Sequence, residues 1–307
     1  MDISLALGGG GVRGIAHIGV IRVLEEHGFD IKAIAGTSAG GLIGAVYAAG
    51  FSTKKIEEIV KKLDENRTFN RGSDAHPSLL GLQGVSDILS ELLAEKSFNE
   101  LKIPFAATAV SLSSGKEIIL RKGKVLDAVM ATIAIPGVFP SREIGGRVLM
   151  DGGVIDPVPV RVARWMRPDL PIVAVVLHEV PDNWNGEEIP FPIEIPGPAS
   201  LIERLSKLRP VQAFKIFSRS MDVTTKHLTE LTLKLYKPEV VIAPKVGHIG
   251  SLQSCDVAEV IQAGIKATQE TLEQIKSEGN WIKRIERQVK HRMAPEPYPE
   301  VWENIKE

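Results

Sequence analysis

The chain has 307 residues, a formal net charge of -1 and a single cysteine. With 44% hydrophobic and 24% charged residues it is no disordered polyelectrolyte. The near-zero charge excludes nucleic-acid binding through a global basic excess, and one cysteine excludes an intramolecular disulfide framework.

The chain opens with an acid at Asp2 and no basic segment, so no secretory signal is expected. Residues 3–7 form a short apolar run that stops at four glycines, which predicts a buried strand. Ile15, Ile18, Val20, Val23 and Leu24 have helical spacing, and Gly28 marks the stop. A second strand is predicted over 31–35, then a turn at 36–40, then a helix of small residues over 41–49. Strand, helix, strand, helix predicts a parallel α/β unit. Residues 33–53 carry no charge, which is long enough for a membrane span. Their five glycines fit a buried strand-turn-helix better.

Ser52 reads as the N-cap of a helix whose apolar face is Ile56, Ile59, Val60 and Leu63. Residues 66–82 read as a loop. Residues 105–110 and 116–120 read as a hairpin with Gly115 in its turn. A helix over 125–135 should end at Pro136, and a strand over 147–150 runs into Asp151-Gly152-Gly153. A short helix over 158–166 and a β-branched strand over 172–177 follow. Five prolines punctuate 181–198, and a loop this long is usually functional or disordered. Residues 200–236 read as mostly helical, 240–243 as a strand and 256–275 as a long helix. The basic segment 281–292 follows a polar break. The expected organisation is one domain over 1–277 and a basic helical tail over 278–307.

Three glycine-rich elements carry chemistry. Gly36-Thr37-Ser38-Ala39-Gly40 is a G-x-S-x-G between a strand and a helix. Such a turn forms a nucleophile elbow, where Gly36 and Gly40 supply the small flanks that a strained serine needs. The plain alternative is a tight turn that happens to contain a serine. Gly9-Gly10-Gly11-Val12-Arg13-Gly14 has two readings. It matches the dinucleotide G-x-G-x-x-G, but that fingerprint needs an acid at the end of the second strand, and Asp30 precedes that strand. The other reading is an oxyanion hole, with backbone N–H groups at a helix start. Arg13 would steady this loop or attract an anionic head group, unless it is a surface arginine. Asp151, with Gly152 and Gly153, suits an acid held at a strand end, and also an ordinary turn. A serine needs a base. His178, His227 and His248 follow Asp151 in the order of a Ser-Asp-His triad, but none sits in a site-like context apart from His248 near Gly247 and Gly250. Cys255 reads as structural.

In this order, G-G-G-x-R-G, G-x-S-x-G and D-G-G resemble the patatin-like phospholipase family. Residues 131–140, ATIAIPGVFP, resemble the family's segment before its aspartate. The resemblance covers residues 3–177 and continues more weakly to 275. It implies an α/β fold of three layers, α/β/α, around a mainly parallel central sheet. It implies a Ser38–Asp151 dyad without a histidine, an oxyanion hole at Gly9, Gly10 and Gly11, and an acyl-serine intermediate. It implies hydrolysis of lipid acyl esters without a metal or other cofactor. One residue departs from the pattern. Asp156 stands before Pro157-Val158-Pro159, where many bacterial members have asparagine. A second acid there would raise the pKa of either carboxyl by like-charge repulsion, which would make Asp151 a better base near neutral pH.

The expected partner is a lipid or ester substrate, with no nucleic acid, and the expected location is cytoplasmic or peripheral to a membrane. Two segments suit a membrane surface, with a rigid surface loop and a helix docked on the protein's own core as their plain alternatives. The loop holding Trp184 and Phe191 (184–193, within a lid or interfacial loop over 185–198) is one. The other is 281–292, where Trp281, Ile282, Ile285 and Val289 share a helical face among Lys283, Arg284, Arg287, Lys290 and Arg292.

Overall fold

The computed structural model describes residues 1–65, 83–93, 95–177 and 209–293. Within them, eight strands form one sheet: β1 (Asp2–Leu7), β2 (Asp30–Gly36), β3 (Phe105–Ser111), β4 (Glu117–Leu120), β5 (Arg142–Ile144), β6 (Arg147–Asp151), β7 (Ile172–Val175) and β8 (Val240–Ile242). The order is β5-β6-β3-β2-β1-β7-β8, with β4 also on β3. The five strands from β3 to β8 along this path run parallel, whereas β4 and β6 are antiparallel to β3 and β5 is antiparallel to β6.

Around the sheet lie α1 (Ala16–Glu26), α2 (Ala39–Ala48), α3 (Thr53–Glu65), α4 (Gln83–Leu93), α5 (Val125–Thr132), α6 (Val160–Met166), α7 (Arg209–Tyr236), α8 (Val257–Glu278) and α9 (Trp281–Met293). Strand alternation divides them into layers. Leu5, Leu7, Ile34, Val173 and Val175 pack against α1 to α5 and α8. Ala6, Ala35, Ala106 and Ala174 point to the other face, where their small side chains admit α6 and the end of α7 through Leu233 and Tyr236. This is a three-layer α/β/α architecture. Among the described residues, no helix is long and apolar enough to cross a membrane. The uncharged stretch 33–53 is β2, the elbow and α2.

Two elements were not anticipated from sequence, α4 and β5. The β5–β6 connection is Gly145-Gly146 with φ of 57° and 71°, the two positive values that a tight hairpin requires. The helix expected over 125–135 ends at Thr132 instead. Ile135 precedes Pro136, which disfavours helical backbone, and Gly137 turns the chain with φ 74°. The loop at 66–82 and the proline-rich segment at 181–198 lie outside the described residues.

Candidate active site

The carboxyl ends of β1 and β2 lie side by side at one edge of the parallel sheet, and each turns into a glycine-rich segment. After β2 the chain makes a sharp turn with Ser38 at φ 52°, ψ -123°, and α2 starts at Ala39. A side chain at such a backbone angle costs about 1–3 kcal/mol. The surroundings hold it there. The Ser38 N–H donates to Thr132 Oγ1 at 2.9 Å, and the Thr37 N–H donates to the Leu7 carbonyl at 3.0 Å. A Cβ on Gly40 would lie 2.2 Å from the Leu7 carbonyl oxygen, and one on Gly36 would lie 2.6 Å from the Gly40 carbonyl oxygen. The serine side chain therefore stands at the positive end of the α2 dipole.

Asp151 closes β6, opposite Ala109 of β3, and is buried. The Ser38 hydroxyl faces its carboxyl and favours the ionised form. The Gly153 N–H donates to Asp151 Oδ1 at 2.8 Å. Gly152 lies so close to β3 that a Cβ would meet Thr108 Oγ1 at 2.3 Å. Burial pushes the Asp151 pKa up to about 6, and the Ser38 hydroxyl and the Gly153 N–H pull against that rise. Like-charge repulsion from Asp156, expected from sequence, is not a cause. Asp156 is buried, and the acid that acts on it is Glu117.

The loop after β1 gives its three central glycines different tasks. The Gly9 N–H donates to the Pro157 carbonyl at 2.9 Å, so this amide is committed. The Gly10 and Gly11 amides have no partner among the described residues. Gly11 adopts φ 59°, and a Cβ there would sit 1.9 Å from the Ser251 carbonyl oxygen. Gly14 presses the loop onto the elbow, since its Cβ would meet the Ala39 Cβ at 2.3 Å. Arg13 is no surface arginine. It is buried, and its Nε donates to the Ile249 carbonyl at 2.5 Å, which ties the loop down. Beneath the loop, His17 is fully buried and its ring Nε2 donates to the Gly8 carbonyl at 2.8 Å. Burial takes its pKa down to about 4, so the ring is neutral at physiological pH.

Ser38, Asp151 and Gly9 to Gly11 line one pocket. Ile135, Pro136 and Val138 form an apolar side, and Phe217, Met221, Asp222 and Thr225 of α7 form the wall opposite. Their spacing of four puts Phe217, Met221 and Thr225 on one helix face. Sequence reading did not identify this wall, because its residues carry no motif. Asp222 lies near Arg13. Burial raises its pKa, while Arg13 and Arg219 oppose the rise.

Two of the three histidines read as alternative bases are elsewhere. His248 pairs with Glu259 on the surface and His227 bonds the Val223 carbonyl within α7, while His178 lies outside the described residues. Asp30 opens β2 and pairs with Lys32, so the acid of a dinucleotide site is missing from the strand end where that fingerprint needs it. Among the described residues no group of three or more histidine, cysteine or acidic side chains could hold a metal ion.

Comparison with known proteins bears on the same residues. An uncharacterised protein of the NTE family from Mycobacterium bovis is 39% identical over 176 residues, covering 55% of this chain and 48% of that protein. The lysophospholipase NTE1 of Pyricularia oryzae is 26% identical over 296 residues, covering 91% of this chain and 19% of that protein. The chain thus spans about half the length of its mycobacterial relative and less of the fungal one. The crystal structure of VipD from Legionella pneumophila matches with TM-score 0.48 and 14% identity, over 90% of this chain and 67% of that one. The family model for patatin-like phospholipases matches residues 5–164, from β1 into α6, and takes in the glycine loop, Ser38 and Asp151. With more than half of its length inside that match, the chain belongs to the patatin-like phospholipase family.

Proposed function

We propose that this protein is a serine acyl hydrolase that cleaves fatty acyl esters of lipids through Ser38 and Asp151. The observation that carries this reading is a strained serine at a helix start that shares one pocket with a buried carboxyl and with two glycine amides that have no partner among the described residues. Family membership supports the reaction class.

In the first step Asp151 takes the Ser38 proton as Oγ attacks the ester carbonyl. The carbonyl electron pair moves to oxygen, where the Gly10 and Gly11 amides receive it. One such donor is typically worth about 3 kcal/mol in the transition state. The intermediate collapses, the alcohol leaves with the proton from Asp151, and acyl-Ser38 remains. Water then attacks with Asp151 as base, and the fatty acid is released. The apolar side formed by Ile135, Pro136 and Val138 suits an acyl chain. Phospholipids, lysophospholipids, acylglycerols and simple esters share the bond that is cut. A hydrolysis panel varying head group and chain length, run beside Ser38→Ala, ranks them. Full activity in Ser38→Ala would overturn the reading.

Contact with an anionic lipid surface through α9 belongs to the same proposal. Ile282, Ile285 and Val289 are 48%, 49% and 48% exposed, so these three side chains are not buried on the body of the protein. Lys283 and Arg287 anchor α9 to Glu278 at the end of α8. An exposed apolar stripe beside basic residues suits the interface of an anionic bilayer. Vesicles of phosphatidylglycerol should co-sediment the protein and release Ile285→Glu. Equal binding by both would remove α9 from this role. The segment 184–193, the other candidate, lies outside the described residues.

A further inference from the structure

Two carbonyls of one dipeptide hold both halves of the candidate site. The Asp156 carbonyl accepts the Thr37 hydroxyl proton at 2.9 Å, one residue from Ser38. The next carbonyl, of Pro157, accepts the Gly9 N–H at 2.9 Å. The nucleophile elbow and the glycine loop therefore hang on a common shelf, and what fixes Asp156 fixes their spacing.

The Asp156 side chain is fixed in an unusual way. It is buried. Its Oδ1 is buried and receives no donor, and the same holds for Glu117 Oε1. Yet Glu117 is the charged neighbour that acts on it most. One proton between two such carboxyls supplies the donor that both oxygens lack. The other oxygen of Glu117 pairs with the Arg161 guanidinium. Glu117 comes from β4 and Arg161 from α6, so the cluster joins the sheet to the helix layer under the shelf. Glu117 and Arg161 are the charged groups that act on Asp156. One shared proton and one arginine make the trio neutral, as burial demands.

We propose that the proton shared by Asp156 and Glu117 is a positioning device that locks the Asp156–Pro157 shelf and so sets the elbow against the glycine loop. Asp156 and Glu117 touch no substrate; they act through Thr37 and Gly9. This rests on the function proposed above for its kinetic consequence, and on the packing alone for the proton. When the proton leaves at alkaline pH, two buried anions face each other and the shelf yields. Burial and the Glu117 charge hold Asp156 protonated well above the usual carboxylate range.

The test compares Asp156→Asn with Asp156→Ala. Asparagine donates a permanent N–H to Glu117 in the same shape. We expect kcat at neutral pH to survive in Asp156→Asn and its alkaline decline to disappear. Asp156→Ala should lose activity on the order of 100-fold, the scale of a site displaced by about 1 Å. Two readouts need no substrate. At about pH 8, where Asp151 is ionised, infrared spectra of the wild type should contain a protonated-carboxyl band that Asp156→Asn lacks. The melting temperature of the wild type should fall with rising pH more steeply than that of Asp156→Asn. A wild type without that band, or an Asp156→Asn protein with the wild-type alkaline decline in both rate and melting temperature, would overturn the proposal. A protein that shows the band and the melting difference but hydrolyses no ester would bear out the locked shelf and overturn the hydrolase reading instead.

Discussion

Ser38 and Asp151 face each other in one pocket although they arrive from opposite directions. Ser38 follows β2 in the parallel part of the sheet, and Asp151 ends β6, which runs antiparallel to β3. The antiparallel extension is thus what brings an acid to the carboxyl edge of the parallel strands.

The first prediction concerns pH. A base must be ionised, and burial raises the Asp151 pKa to about 6. The rate, kcat/KM, should therefore be level above this value and fall about tenfold per pH unit below it. A pH–rate profile with an acidic limb near 4 would show that the base is not this carboxyl.

The same burial makes Asp151 costly to the fold. Its pKa rises from 3.8 to about 6 on folding, so the native state binds the proton more tightly. Stability is greatest below 3.8 and declines as pH rises towards 6. Above that the ionised form costs about 3 kcal/mol. Asp151→Asn should abolish turnover, by about a thousandfold or more, and yet melt several degrees higher than the wild type at neutral pH. The gain should vanish in melts recorded below about pH 4.

Gly11 and Gly115 both have positive φ but differ in their space. A Cβ on Gly11 would lie 1.9 Å from the Ser251 carbonyl oxygen, whereas one on Gly115 meets nothing within 4 Å. Gly115→Ala should cost only the conformational strain, about 1–2 kcal/mol, with unchanged kcat. Gly11→Ala should displace the loop, lower kcat by on the order of 100-fold and destabilise more. Denaturant melts and ester turnover on both variants measure the difference.

Thr132 holds the elbow through one bond. Thr132→Val keeps the shape but leaves the buried Ser38 N–H without its acceptor. The expected loss is about 1–3 kcal/mol of stability with a lower kcat. An unchanged melting curve would show that the elbow holds its own backbone angle.

Much of this site was legible because its constraints are steric and local. Gly36, Gly40 and Gly14 mark places where a backbone or a neighbouring Cβ leaves no room, and each sits at a fixed offset from Ser38 or the loop. Strand alternation and helix stops likewise follow from local sequence. The cause of the Asp151 shift did not. Asp156 is five residues away in sequence, but its partner Glu117 lies on another strand, and only the fold brings them together. The division of labour between Gly9 and its neighbours depended on Pro157 in the same way. His17 went unnoticed because its buried bond to Gly8 leaves no trace in spacing. Gly145-Gly146 did carry a hairpin signal, from which β5 follows.

The pocket wall on α7 has a consequence for how such a protein can change. The family match ends at residue 164, and Phe217, Met221, Asp222 and Thr225 lie beyond it. The strained turn, the glycine loop and Asp151 are therefore carried on one stretch of chain and this wall on another. Under the function proposed above, changes in the wall alter which esters fit without reaching the strained turn or the buried acid.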